Sequence, residues 1–493
     1  MPPFPPYDPT DTNGFSYKTV VHRWPVIITG VIDRMHRLSH DLVLEANAST
    51  TDDAHKADLN VKVTEAKTII ASISRLKYEM GRDYVLQPIP SDGEPNELYN
   101  AELERLAENS KNTWFTAPWL FAECYLYRLL RSYFLQTTQW TLFDPFQSQK
   151  QETFQQSGKA IAQIAKSMHE LKTEHAKVES DPSKLAVLFK EMIQMCLWGN
   201  ATDLSLLTHL SAADIEHLQT VGKDAQAARR DFILRDDQEQ VWKHLSSLNG
   251  GRVDFVLDNA GFEVQLIACS LAFHQRFLQL FTDLVFADFL LSTPYVSKVV
   301  FHPKLIPWFV SDVTPSDFAN TLEILLEPTF LSLTEEEQTL LSEMVLGWTK
   351  HYEEGVFSLS VPMTTPLGGG GSDLDAAADL ARFWTEHSPY WDMETLAPEL
   401  WKELRKSDLV IFKGDLNYRK LTGDIQWPAW TDFGEALGAL GGSFPILSLR
   451  TNKADVVVGV ARDVAEKLDA EQGKQWRVDG RYALISFLPA AAS

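Results

Sequence analysis

A change of texture at Asn249-Gly250-Gly251 constrains the fold of this chain more than any other feature. Before it, from Tyr17 to Leu248, apolar residues recur at spacings of three and four. SYKTVVHRWPVIITGVIDRMHRLSHDL, KVTEAKTIIASISRLKYEM and SGKAIAQIAKSMHELKTEHAKVE all follow this helical period. The aromatic-dense stretch Thr113–Phe134 is expected to be a buried helix of the same part. After the glycines, short β-prone runs appear at Val253–Leu257, Lys298–His302, Ile306–Val310, Leu409–Phe412, Ile446–Leu449, Asp455–Val460 and Tyr482–Leu488. Several alternate with helical segments, which predicts βαβ units on a mostly parallel sheet. The expected organisation is a disordered proline-rich tail at 1–16, a helical domain at 17–250 and an α/β domain at 251–493. A glycine-rich loop at 362–378 is expected to be flexible; its four glycines follow no strand and lack the GxGxxG spacing of a nucleotide site.

Composition narrows the partners. At 493 residues, 44% of them hydrophobic, the chain has ample apolar material for two or three units of roughly 150 residues. A formal net charge of −22 would repel a nucleic-acid backbone or an anionic membrane, so neither is expected as a partner. Cys124, Cys196 and Cys269 are odd in number and unpatterned, which fits neither a disulfide framework nor a zinc site and suits a reducing compartment, cytoplasmic or nuclear. No uncharged apolar run reaches the roughly 18 residues of a membrane helix. His36 and His40 have helical i, i+4 spacing but no HExxH context, and read as a solvated helix face. SLTEEEQ reads as a helix start, its acidic residues favoured near the positive end of the dipole.

Function is expected where strands end. VDFVLDNAGF (Val253–Phe262) runs from buried-strand residues into Asp258 and Asn259, two oxygen donors suited to a hard divalent cation. IPWFVSD ends at Asp312. LVIFKGDLNYRK ends at Lys413, Asp415, Asn417, Arg419 and Lys420. ILSLRTNK ends at Arg450, Thr451 and Lys453. Any one of these clusters alone also fits a turn, a helix cap or a solvated loop. Parallel neighbouring strands would bring them to one rim, where two carboxylates and an amide hold a cation and Lys and Arg surround an anion. Their joint occurrence in so acidic a chain points to metal-assisted chemistry on a phosphate.

DNAGFE (Asp258–Glu263), LFTDLVFADFLL (Leu280–Leu291), PWFVSD (Pro307–Asp312), FKGDLNYRKLTGD (Phe412–Asp424) and the RTxK signature (Arg450–Lys453) resemble the damage-control phosphatases, with WLFAECYLYR and LWGNATDLSLL upstream. The resemblance spans about residues 15 to 460 and implies a helical domain packed on a Rossmann-like α/β sandwich. It implies Asp258, Asn259 and Asp312 as metal ligands. Glu263, Asp312, Asp415, Leu416, Asn417, Tyr418, Arg419, Arg450 and Lys453 would contact substrate, and Asp258, Asn259 and Asp415 would carry the chemistry. The implied reaction is hydrolysis of a small sugar phosphate, such as fructose 1-phosphate, with manganese, nickel, cobalt or magnesium. Some family members also carry an acidic-residue methyltransferase assignment. The alternatives are therefore S-adenosylmethionine-dependent methylation of a protein carboxylate, or an inactive scaffold. The residues leave open whether a water or a carboxylate attacks.

In one place the chain departs from that pattern. The sixteen residues Val264–Gln279 separate GFE from LFTDL, and removing them restores GFELFTDLVFADFLL. Valine codons begin with GT and a glutamine codon can be CAG, matching the two ends of an intron. The segment reads as an unremoved intron; the other reading is a genuine helical extension or loop.

Overall fold

The computed structural model describes residues 2–48, 52–173, 182–198, 231–259, 279–370 and 375–491. Seven strands form one sheet: β1 (Ile233–Asp236), β2 (Gly251–Val256), β3 (Val296–His302), β4 (Phe357–Leu359), β5 (Leu409–Lys413), β6 (Ile446–Thr451) and β7 (Ala483–Leu488). Their spatial order is β1-β7-β6-β5-β2-β3-β4. The run from β6 to β4 is parallel, while β7 is antiparallel to β6 and parallel to β1. The expected mostly parallel α/β sheet is present. β5 and β6 are buried along their whole length, as parallel strands covered on both faces must be.

The helices that matter are α1 (Trp24–Ala46), α2 (Asp53–Gly81), α3 (Glu97–Glu108), α4 (Trp119–Leu135), α5 (Gly158–Thr173), α6 (Pro182–Trp198), α7 (Gln279–Leu291), α8 (Pro315–Leu326), α9 (Glu335–Glu353), α10 (Gly414–Thr422) and α11 (Arg462–Gln472). Three cores follow from their apolar faces. Helices α5 to α9 cover one face of the sheet, packing on Phe255, Phe301, Ile411, Leu447 and Ile485. Parts of α10 and α11 with Trp384 and Tyr390 cover the other, against Val256, Val410, Phe412 and Ile446. The third core joins α1 to α4 with Trp308, Phe309, Val310, Leu416 and Ala454. Those last residues lie in the segments that follow the strands, so the N-terminal helices sit over the carboxyl edge of the sheet. α4 is buried along nearly its whole length, Glu123, Arg128 and Arg131 included, as the aromatic density of Thr113–Phe134 predicts. It starts only at Trp119, because Pro118 supplies the N-cap.

Several expectations need correction. The described part of the expected disordered tail at 1–16, residues 2–16, is docked. Tyr7 N–H donates to the Asp424 carbonyl at 2.9 Å, Trp119 N–H donates to the Tyr7 carbonyl at 2.8 Å, and Phe15 N–H donates to Asp455 Oδ2 at 3.2 Å. Prolines remove donors without preventing extended chain from docking, and Tyr7 packs against two of the three cores. The helical stretch 17–250 contains a strand, β1, and its α5 and α6 belong to the sheet core. Residues 362–370 of the glycine-rich loop are held in part by Gly368 N–H on the Leu305 carbonyl and by Arg131 Nη2 on the Leu367 carbonyl; Asp375–Arg382 is helical, and 371–374 lie outside the described residues. Ile306–Val310 and Asp455–Val460 are not strands. Pro307 interrupts the first, and Phe309 and Val310 take positive φ of 46° and 70°. Gly459, at φ 77°, breaks the second, whose backbone groups are taken by Arg450 and Tyr418 side chains. SLTEEEQ does start a helix: Thr334 and Glu337 form a capping box at α9. His36 and His40 are exposed on α1.

Candidate active site

The chain runs from β2 outward to β3 on one side, and from β5 outward to β6 on the other. Crossovers leaving two neighbouring strands in opposite directions open a crevice at their carboxyl ends, where α/β proteins bind ligands. Asp258 and Asn259 follow β2, and Gly414 and Asp415 follow β5. They line a small pocket together with Asp312, Leu416, Arg419, Lys453, Trp119, Glu123 and Gln279.

Asp312 reaches the crevice from the loop after β3 rather than from a strand end. Asn259 and Asp312 form an isolated antiparallel bridge, and Val313 N–H donates to the Asp258 carbonyl at 2.8 Å. The left-handed backbone at Phe309 and Val310 turns the chain just before it. A β-branched residue in that region is strained by roughly 1–2 kcal/mol. Tertiary packing holds the strain: Phe309 stacks on Tyr127 at 4.9 Å, inside the N-terminal helical core.

Gly414 is required by contact as well as by conformation. Its φ is 81°, and a Cβ there would land on the Asp258 carboxylate. The start of α10 is thereby pressed against Asp258, and the first N–H groups of that helix have no intrahelical acceptor.

The electrostatics are those of two buried carboxylates close to one another. Asp312 is 1% exposed, and among the described residues neither of its carboxylate oxygens has a hydrogen-bond partner. Burial, and next the charge of Asp258, push its pKa well above the ordinary carboxylate range. Asp258 is pushed up to about 6 by burial, against the pull of Lys453 and Lys304. Asn259 is oriented by Ser311, whose Oγ donates to Asn259 Oδ1 at 2.5 Å. A buried carboxylate with no donor is costly unless a cation answers it. Two carboxylates and an amide oxygen are the hard donor set a divalent cation takes, so the residues present fit such an ion. Among the described residues no three His, Cys, Asp or Glu side chains cluster for a metal.

The expected cationic rim is largely internal. Arg450 is fully buried: its Nε donates to Asp415 Oδ1 at 2.7 Å, its Nη2 donates to the Ala454 carbonyl at 2.9 Å, and its plane lies over Tyr418. Lys413 is buried against Asp283 and Cys196, and Lys420 donates to the carbonyls of Phe383, Trp384 and Glu386, its pKa lowered to about 8 by burial. Asn417 and Tyr418 also face inward. Asn417 bonds the Val256, Leu257 and Lys413 carbonyls, Lys304 and Tyr390, while Tyr418 pairs with Val458. None of these five lines the pocket. Arg419 does, but it is held by Glu123 at 2.6 Å and Asp424 at 3.0 Å, over Trp119 at 3.7 Å. Lys453 lines the pocket too, and its backbone N–H donates to Asp415 Oδ1 at 3.1 Å. Asp415 thus joins the start of α10 to the segment after β6 while keeping a place in the pocket wall. Glu263 lies outside the described residues.

Trp119, Glu123, Arg23, Phe309, Gly414 and Gln279 are pocket residues that strand-end reasoning does not reach. Arg23 closes a π-helical turn at Thr19–Arg23, a form often found at functional sites. Trp119 and Glu123 are spaced i, i+4, a helical face signal that points to one surface without saying what it meets.

The damage-control phosphatase ARMT1-like domain matches residues 19–273 and 278–468, the break falling inside Val264–Gln279. The chain is 33% identical to damage-control phosphatase ARMT1 of Danio rerio, covering 96% of this chain and 94% of that protein. Against the Mus musculus and Homo sapiens proteins of the same name it is 32% and 30% identical, over 97% of each partner. Similarity at this level over nearly the whole length places the chain in the damage-control phosphatase ARMT1-like family.

Proposed function

We propose that this chain is a metal-dependent phosphatase acting on phosphomonoesters of small sugars, of the fructose 1-phosphate kind. The observation that carries the reading is the donorless, buried carboxylate of Asp312 beside Asp258 and Asn259, facing Lys453 and the start of α10 across one pocket. Asp258, Asn259 and Asp312 would hold the cation, with manganese, nickel, cobalt or magnesium as candidates. When bound, a divalent cation polarises a phosphoryl oxygen and offsets its charge. The chain's own residues do the rest. Lys453 and the first N–H groups of α10 counter the phosphate charge. Asp415, anchored through Oδ1, has Oδ2 left to accept a sugar hydroxyl or orient a water. Arg419, tied to two carboxylates, holds the wall in place with Trp119 and Glu123 and so excludes water from the reacting face.

Phosphate release from fructose 1-phosphate, with and without manganese, tests the proposal. Metal-dependent release abolished by Asp258→Ala is the expected result. Methyl transfer that persists in EDTA would replace it with the methyltransferase reading. No turnover, even by a form lacking Val264–Gln279, would make the chain a scaffold.

A further inference from the structure

We propose that Gln279 is a positioning residue of the cation pocket, and that the side chain directly preceding Leu280 sets how tightly a divalent cation is held. The inference rests on the metal-dependent reading above and extends it to a residue outside every strand-end cluster. Gln279 opens α7, is 7% exposed and lines the pocket. Its Oε1 accepts from Asn259 Nδ2 at 3.1 Å, and the same nitrogen donates to Asp258 Oδ2 at 3.1 Å. On the opposite side of the amide, Asn259 Oδ1 takes the Ser311 hydroxyl. Partners on the amide nitrogen fix which way its oxygen turns, as outer partners of a metal ligand do. Gln279 supplies half of that hold.

The place it occupies is set by the core. Leu280, Phe281 and Leu284 of α7 are fully buried, and sliding or turning the helix would unpack all three. Whatever residue precedes Leu280 is therefore delivered to Asn259. In this chain it is a neutral acceptor. A carboxylate there would keep the bond to Asn259 and add a negative charge beside Asp258 and Asp312; an apolar side chain would do neither. The sequence holds such a carboxylate in Glu263, which would directly precede Leu280 in a chain without Val264–Gln279. The two forms would then differ by one charge at the pocket.

Titrating the full chain and its Gln279→Glu and Gln279→Leu variants with manganese, read by the free-ion electron paramagnetic resonance signal, tests this. Thermal melts in EDTA accompany each titration. Gln279→Leu should weaken binding by roughly tenfold or more, the usual effect of losing a partner of a metal ligand. Gln279→Glu should tighten it by about tenfold through its added charge. The melting temperatures in EDTA should stay within a few degrees. Equal affinity for all three proteins overturns the inference and leaves the metal-dependent reading standing. No manganese binding by the unaltered chain or by Gln279→Glu overturns both. Should Gln279→Leu fail to fold, the comparison of Gln279→Glu with the unaltered chain decides alone.

Discussion

At the scale of single residues, the site depends on atoms that cannot be exchanged for close relatives. Gly414 has a left-handed backbone and no room for a Cβ against Asp258. Gly414→Ala should therefore cut activity by about a hundredfold or more while the protein still folds, because a displacement of about 1 Å at a reacting group costs that much. Phosphate-release kinetics with a circular dichroism control check this. Asp312 presents the opposite case. Its buried carboxylate has no donor, so in metal-free protein it opposes folding. Asp312→Asn should raise the melting temperature in EDTA, by the equivalent of about 1 kcal/mol or more, and abolish stabilisation by added manganese. Differential scanning calorimetry with and without manganese reads both effects. A lower melting temperature in EDTA would argue that the carboxylate is not an uncompensated charge. Asp258, Asn259 and Asp312 are legible as oxygen donors from sequence alone. Arg450 is not legible as a brace, because nothing in RTNK says which way its guanidinium turns.

At the scale of elements, the segment after α9 clamps the N-terminal helices to the sheet domain. The His387 ring sits between Tyr99 of α3 and Phe121 of α4, each 5.1 Å away, and its Nε2 meets the Leu98 carbonyl at 3.1 Å. Burial lowers its pKa from 6.5 to about 4. Between those values the unfolded chain takes up a proton that the folded chain refuses, so stability falls as pH drops from 6.5 toward 4 and levels off below. The loss from this group is up to about 3 kcal/mol. His387→Gln should flatten that part of the curve, as measured by urea unfolding across the pH range; an unchanged slope would assign the acid sensitivity elsewhere. The strands themselves were legible where apolar runs pair in the sheet, as at β2, β5 and β6. They were misread at Ile306–Val310 and Asp455–Val460, where equally apolar runs have no strand beside them. β1 and β4 are short and only partly buried, and carry too few residues to show a period.

At the scale of the whole molecule, the N-terminal tail ties the helical core to the segments carrying Arg419 and Lys453. Removing residues 1–15 breaks the Tyr7 bonds to Asp424 and Trp119 and the Phe15 bond to Asp455. The truncated chain should melt a few degrees lower, since about 1 kcal/mol corresponds to roughly 1 °C in a protein of this size and several bonds are lost together. Thermal denaturation checks it, with an unchanged melting temperature contradicting a structural role. Val264–Gln279 bears on the whole molecule from a different direction. If it is a retained intron, transcripts should be spliced directly from the codon of Glu263 to that of Leu280; reads running through all sixteen codons would make it part of the mature protein. The sequence by itself determined the α/β class, the start of α9 and the burial of α4, because each follows from periodicity or propensity within a few residues. Only the tertiary structure decided that the tail is docked, that Asp312 arrives on a strained loop, and that most of the Lys and Arg residues brace the walls. The same packing placed Gln279 against Asn259. These outcomes depend on contacts between residues hundreds of positions apart, as between Glu123 and Arg419. A side chain's direction there is set by the core it meets and not by its neighbours along the chain.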